Sequence, residues 1–73
     1  MRDKIIEIIE EIGADIDVTD PDLNIAEDME SIDIISLIAD LEDEFDITIT
    51  MKDKTEANFR NVDTLAEMVE RLL

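Results

Sequence analysis

Apolar positions along this chain follow a helical spacing in three places, and the breaks between them mark out its elements. In residues 3–12, Ile5, Ile8, Ile9 and Ile12 fall at i, i+3, i+4 and i+7, one face of a helix. Glu7, Glu10 and Glu11 take the other side. Asp3 is the expected N-cap of this helix and Gly13 its expected left-handed stop. Residues 14–30, ADIDVTDPDLNIAEDME, keep no helical period, because Asp, Asn, Thr and Pro punctuate them. Ile16, Val18, Leu23 and Ile25 are the residues able to pin this stretch to a core. A loop of that length in a small domain is unusual and often functional.

The best-defined helix covers residues 31–45 and carries two stripes. Ile34, Leu37, Ile38, Leu41 and Phe45 form the expected core stripe. Ile32, Ile35 and Ala39 form a second, displaced by about a quarter turn or more and bordered by Asp33, Ser36, Asp40, Glu42 and Asp43. An apolar strip rimmed by acids is either additional core or a docking surface for a basic partner. Residues 46–54 are a connection in which ITIT, at 47–50, alternates like a strand but has no partner strand. TEANF, at 55–59, predicts one short helical turn capped by Thr55. The last helix is expected from Asp63 or Thr64, with Thr64 and Glu67 spaced as a capping box and Leu65, Met68, Val69 and Leu72 buried. The pattern therefore predicts an all-α fold. It has three main helices plus one short helix, a long loop between the first and second, and one domain over residues 1–73.

Composition agrees. Hydrophobic content of 45% is too high for a disordered chain, and one Gly with one Pro leaves little turn chemistry for an all-β fold. Charge narrows the partners. Twenty-two acidic residues against six basic ones give a net charge of -16, which repels nucleic acid and anionic lipid and attracts proteins with Lys and Arg patches. Self-repulsion of that size also predicts that salt or Mg²⁺ raises the melting temperature. The N-terminal MRDKIIEIIEEIG carries charges throughout its apolar pattern, unlike a signal peptide, and no apolar run approaches membrane-spanning length. A soluble, cytoplasmic monomer is the expectation.

Candidate chemistry is sparse. Without Cys there is no disulfide, thiolate metal site or thiol nucleophile. Asp15, Asp17, Asp20 and Asp22 cluster, but a Ca²⁺ loop beginning at Asp15 requires Gly at its sixth position and Glu at its twelfth, where this chain has Asp20 and Ala26. No dedicated metal site is expected. With no His, a serine nucleophile must rely on a lysine or a carboxylate, and Lys4, Lys52 and Lys54 form no recognisable constellation with Ser31. No Gly-rich phosphate loop is present. The chain reads as a non-catalytic protein.

Ser31 stands between Glu30 and Asp33 where the main helix begins. It is either an N-cap or a hydroxyl modified by another enzyme, because a helix start stabilises an attached anion. Here ESIDIISLIADLEDEF, residues 30–45, resembles the acyl carrier protein motif, D-S-L or D-S-M followed by an acidic, apolar helix. The likeness extends to the Ile-rich first helix, the long loop, the LEDEF ending at Phe45 and the final helix introduced by NVDTLAEMV. It implies a small four-helix bundle in which Ser31 receives 4′-phosphopantetheine from coenzyme A through a phosphopantetheinyl transferase. The arm's thiol then carries acyl groups as thioesters for fatty acid or related acyl-chain biosynthesis. It also implies that Glu30, Ile32, Asp33, Ile35, Ala39, Glu42 and Asp43 meet partner enzymes, acyl-processing synthases or ligases with basic docking patches. This chain has Glu30 where the family usually has Asp, Ile32 where it has Leu or Met, and a shortened approach, DME, in place of the usual DLGAD. At Ser36 and Asp40 fatty-acid carriers often have Glu and Ala. The same motif serves aminoacyl or peptidyl carriers, such as D-alanyl carriers. A rival of another class is an acidic adaptor that uses the 32/35/39 stripe and carries no cofactor.

Overall fold

A computed structural model describes residues 1–13 and 15–73 of the chain. Four helices follow in the order α1 (Arg2–Ile12), α2 (Ile25–Asp28), α3 (Ser31–Phe45) and α4 (Val62–Leu72). No strand occurs among the described residues, and the fold is the expected small helical bundle. α1 packs on both α3 and α4. The contact is made by the residues that the spacing singles out: Ile5 and Ile9 from α1, Leu37 and Leu41 from α3, and Leu65, Met68 and Val69 from α4 are fully buried. Burying one such side chain contributes about 1.5–3 kcal/mol. An exposed ion pair such as Arg2 with Asp63 contributes roughly 0–1 kcal/mol, so the apolar seam holds the bundle. Leu23 and Ile25 are buried too, with Ile16 and Val18 packed against the core, so the long loop is pinned as expected. Its first residue, Ala14, lies outside the described residues.

Several local expectations are corrected. Asp3 does not cap α1. The N-cap is Met1, which offers no side-chain bond but whose carbonyl accepts the Ile5 N–H at 3.1 Å. Asp3 instead stands in the first turn, where a carboxylate complements the helix dipole. Gly13 is not left-handed, with φ -126° and ψ 84°. Its missing side chain makes room, since a Cβ there meets Ile16 Cγ1 at 3.2 Å. The left-handed stop is at the end of α3, where Asp46 has φ 53° and donates its N–H to the Glu42 carbonyl. Asp tolerates that conformation better than most residues.

The short helix forms inside the long loop, as α2, and not at 55–59. Asn24 takes its N-cap position, and the Ile25 and Ala26 N–H groups donate to the Arg60 and Phe59 carbonyls, both at 2.8 Å. A helix of four residues cannot sustain itself; these tertiary bonds are what a single-sequence period cannot report. Residues 55–59 close a turn, with Thr55 accepting the Asn58 N–H on its hydroxyl and the Phe59 N–H on its carbonyl. In ITIT, Ile47 and Ile49 are buried while Thr48 and Thr50 are exposed, so the alternation reflects an extended segment laid on the core. α4 begins at Val62, and its capping box joins Asn61 to Thr64, not Thr64 to Glu67.

Candidate functional site

The start of α3 is set by the residue two places before Ser31. Met29 is buried, 5% exposed, and its N–H closes α2 on the Ile25 carbonyl at 3.0 Å. With Met29 anchored inside, the chain turns outward at Glu30, which has extended backbone angles and whose carbonyl accepts the Ile34 N–H at 3.0 Å. Glu30 is therefore the N-cap, and Ser31 is the first residue inside the helix. This corrects the reading of Ser31 as a cap: no side chain caps α3. The N–H groups of Ser31, Ile32 and Asp33 have no acceptor within the helix, as at any helix start. Ser31 is exposed.

The other serine is placed differently. Ser36 Oγ donates back to the Ile32 carbonyl at 3.3 Å, one turn earlier. Neither hydroxyl has an activating base in hydrogen-bond contact among the described residues. Lys4 is held near the far end of α3, with Glu7 at 3.7 Å and Glu44 at 3.5 Å. Those two carboxylates raise its pKa above the usual lysine value, the charge of Glu7 being the largest single cause.

Along the exposed side of α3, Ile32, Ile35, Ala39 and Asp43 follow one another at helical spacing. Ile32 is 68% and Ile35 66% exposed, so the second stripe is surface and not additional core. Glu30 is exposed beside its upper end, and Asp33 is half-buried. Glu42 stands apart. It is half-buried, and its Oε2 accepts the Ile49 N–H at 2.8 Å, so it anchors the 47–50 segment.

One cleft adjoins the helix start and a second lies further along α3. The first, of about 220 Å³, is walled by α1's end, the loop and α3, and it gathers the carboxylates of Asp15, Asp28, Glu30 and Asp33. The other, of about 200 Å³, has apolar walls from Ala26, Ile34, Ile38 and Phe59, with Lys54, Thr55 and Glu56 completing its lining. Sequence spacing assigns Ile34 and Ile38 to the core, yet both are half-buried because they line this cleft. No local sequence signal announces it, because its lining comes from α2, α3 and residues 54–59.

The loop aspartates are explained by turns. Asp17 Oδ1 accepts both the hydroxyl and the N–H of Thr19, at 2.6 and 2.9 Å, which lowers its pKa below the usual aspartate value. Asp20 Oδ1 accepts the Asp22 N–H at 2.9 Å. Among the described residues no group of three or more His, Cys, Asp or Glu side chains is arranged to hold a metal.

Ser31 thus presents an exposed hydroxyl at the first position of α3, next to the apolar strip of Ile32 and Ile35. A family profile described as "Phosphopantetheine attachment site" matches residues 3–72. No curated protein and no solved structure matches the chain. The extent of the profile, nearly the whole sequence, places the chain in the phosphopantetheine attachment site family, carrier domains that bear covalently attached 4′-phosphopantetheine.

Proposed function

We propose that the chain is an acyl carrier protein loaded at Ser31, serving fatty acid or related acyl-chain biosynthesis in the cytoplasm. The observation that carries this reading is the exposure of Ser31 as the first residue of a fifteen-residue helix that no side chain caps. The residues fit the group. A phosphodiester on that oxygen lies beside free backbone N–H groups at the positive end of the helix dipole. In the loading step Ser31 Oγ attacks the pantetheine-bearing phosphorus of coenzyme A. The new O–P bond replaces the pyrophosphate bond, and adenosine 3′,5′-bisphosphate leaves. The hydroxyl proton passes to a base of the phosphopantetheinyl transferase, since this chain supplies none. When bound, the group provides a thiol for thioester chemistry. Ile32, Ile35 and Ala39, framed by Glu30, Asp33 and Asp43, form the surface on which synthases or ligases with basic patches dock. Glu42 is left out of that surface because its carboxylate is engaged with Ile49.

Intact mass after incubation with coenzyme A and a broad-specificity transferase tests the reading. The expected result is one phosphopantetheine added to the wild type and to Ser36→Ala, and none to Ser31→Ala. Failure with several transferases points to the cofactor-free adaptor, or to a carrier that Glu30 and the short approach have disabled. Loading by an amino-acid-activating ligase in preference to acyl ligases identifies an aminoacyl carrier instead. Among the described residues no helix is long and apolar enough to cross a membrane.

A further inference from the structure

The chain has six cations, and three of them have protein partners. Arg2 pairs with Asp63, Lys4 with Glu7 and Glu44, and Arg71 donates to Asn58 Oδ1 at 3.0 Å. The side chains of Lys52, Lys54 and Arg60 have no ion pair or hydrogen bond among the described residues. Of these three Lys54 lines the apolar cleft. Ser31, Ile34 and Ile38 stand at i, i+3 and i+7 of α3, so the attachment oxygen and two walls of the cleft share one side of the helix. At about 1.5 Å per residue, Ile34 and Ile38 lie roughly 4.5 and 10.5 Å along the axis from Ser31.

An anionic arm leaving Ser31 therefore meets two unlike clefts. The first presents Asp15, Asp28, Glu30 and Asp33 with no cation. The second presents Lys54, apolar walls and one carboxylate, and that carboxylate, Glu56, already accepts Asn24 Nδ2 at 3.0 Å. Repulsion from the first and attraction to the second act in the same direction. Apolar walls this close to Ser31 suit the gem-dimethyl carbon that follows the phosphate in pantetheine. The thiol end lies further out.

We infer that Lys54 is a positioning residue for the prosthetic group: its ammonium attracts the phosphodiester on Ser31 and turns the arm's first segment onto Ile34 and Ile38. This rests on the proposed attachment at Ser31. It assigns to the 51–54 connection a task that its sequence, MKDK, does not announce. The connection is suited to it. Asp53 accepts both the N–H and the hydroxyl of Thr50, at 3.2 and 3.0 Å, and the Asp53 N–H returns to the Thr50 carbonyl at 3.0 Å. These bonds hold the turn from which Lys54 projects.

The test compares apo and loaded protein by NMR for the wild type, Lys54→Gln, Lys54→Arg and Lys52→Gln. Intact mass confirms loading of each sample first, so a failure of Ser31 to accept the arm is seen separately and overturns both readings. Circular dichroism confirms that each variant folds, as exposed positions should allow. Loading is expected to shift the Ile34 and Ile38 methyl signals in the wild type. The shift should fall about twofold or more when salt rises from about 0.1 to about 1 M, where the screening length drops from about 10 to about 3 Å. Lys54→Gln should lose both the shift and its salt dependence, and move the ³¹P resonance of the phosphodiester. Lys54→Arg should restore them, and Lys52→Gln should resemble the wild type. Loaded Lys54→Gln with unchanged methyl shifts overturns the inference, as does an equal loss in Lys52→Gln.

Discussion

Replacing Asn61 by Ala isolates the device that starts α4. Asn61 Oδ1 accepts the Thr64 N–H at 2.9 Å, and Thr64 Oγ1 accepts the Asn61 N–H at 3.0 Å. The hydroxyl also reaches the Asn58 carbonyl at 3.0 Å, which ties the helix start to the 55–59 turn. Asn61 and Thr64 are both half-buried, so water replaces these bonds poorly. Losing an N-cap side chain costs about 1 kcal/mol, with a range of roughly 0.5–2 kcal/mol. Partial burial puts Asn61→Ala in the upper half of that range. For a domain of this size each kcal/mol shifts the melting temperature by about 4–8 °C. A drop of about 5–16 °C is therefore expected, together with a lower urea midpoint and an unchanged slope. Glu67→Ala is the control, because Glu67 is exposed and outside the box; it should move stability by no more than about 0.5 kcal/mol. If Glu67→Ala costs as much as Asn61→Ala, the helix is capped by the Thr64–Glu67 pair after all, and the geometric argument fails. A double-mutant cycle with Thr64→Val should give a coupling of about 0.5 kcal/mol or more, because the two side chains share one motif.

Other consequences follow from charge and exposure. Raising salt from about 0.01 to about 0.15 M shortens the screening length from about 30 to about 8 Å, and the molecule measures 27 × 22 × 21 Å. Acids that all repel one another at low salt then sense only neighbours, so the melting temperature should rise by several degrees; a flat thermal scan contradicts this. Ile35→Asp should change stability by less than about 0.5 kcal/mol, since Ile35 is 66% exposed. On the carrier reading it slows transferase loading about tenfold, the equivalent of roughly 1.4 kcal/mol of docking energy, and a normal loading rate removes Ile35 from the surface. Asp17 titrates below the usual aspartate value because Thr19 hydrogen-bonds its charged form. Its contribution to stability is thus complete above pH 3.8 and is lost as pH falls through the lower folded value. Exchange of the Thr19 amide should accelerate over that acidic interval, and the acceleration should be absent in Asp17→Asn.

How far the chain could be read in advance depends on the distance over which each signal acts. The bounds of α3 are legible because they are set by spacing within one helix, but the same spacing leaves the Ile32 and Ile35 stripe open between core and surface. The alternation of ITIT is legible too, while the packing that turns Ile47 and Ile49 inward is not. Caps are harder. Asp3, Ser31 and Thr64 all belong to types that cap well, yet Met1, Glu30 and Asn61 hold those positions. At α4 the local Asn61–Thr64 pair takes precedence over the Thr64–Glu67 spacing. The register of α3 is decided by tertiary anchoring, the burial of Met29, which a residue type cannot report. α2 is invisible for the same reason: its first N–H groups bond to carbonyls of residues 59 and 60, more than thirty positions away. The apolar cleft is assembled from α2, α3 and the 54–59 segment, so no single window of sequence contains it.

The acids around Ser31 set the electrostatics of its proposed modification. A helix N-terminus favours an attached anion by about 0.3–1 kcal/mol at an exposed position. A carboxylate about 4 Å from the phosphate opposes it by about 1 kcal/mol in water and about 4 kcal/mol near a protein surface. Glu30 and Asp33 lie within two residues of Ser31 in the chain, so on the proposed modification their charges oppose the arm while the helix start favours it. A basic transferase reverses that sign, because the same carboxylates then attract it and are neutralised in the complex. Two salt responses of opposite direction follow from one charge distribution. Screening steadies the fold by weakening repulsion among the acids, and it slows loading by weakening attraction to the enzyme. An acidity serving solubility alone predicts only the first. Observing both together ties the charge of α3 to recognition.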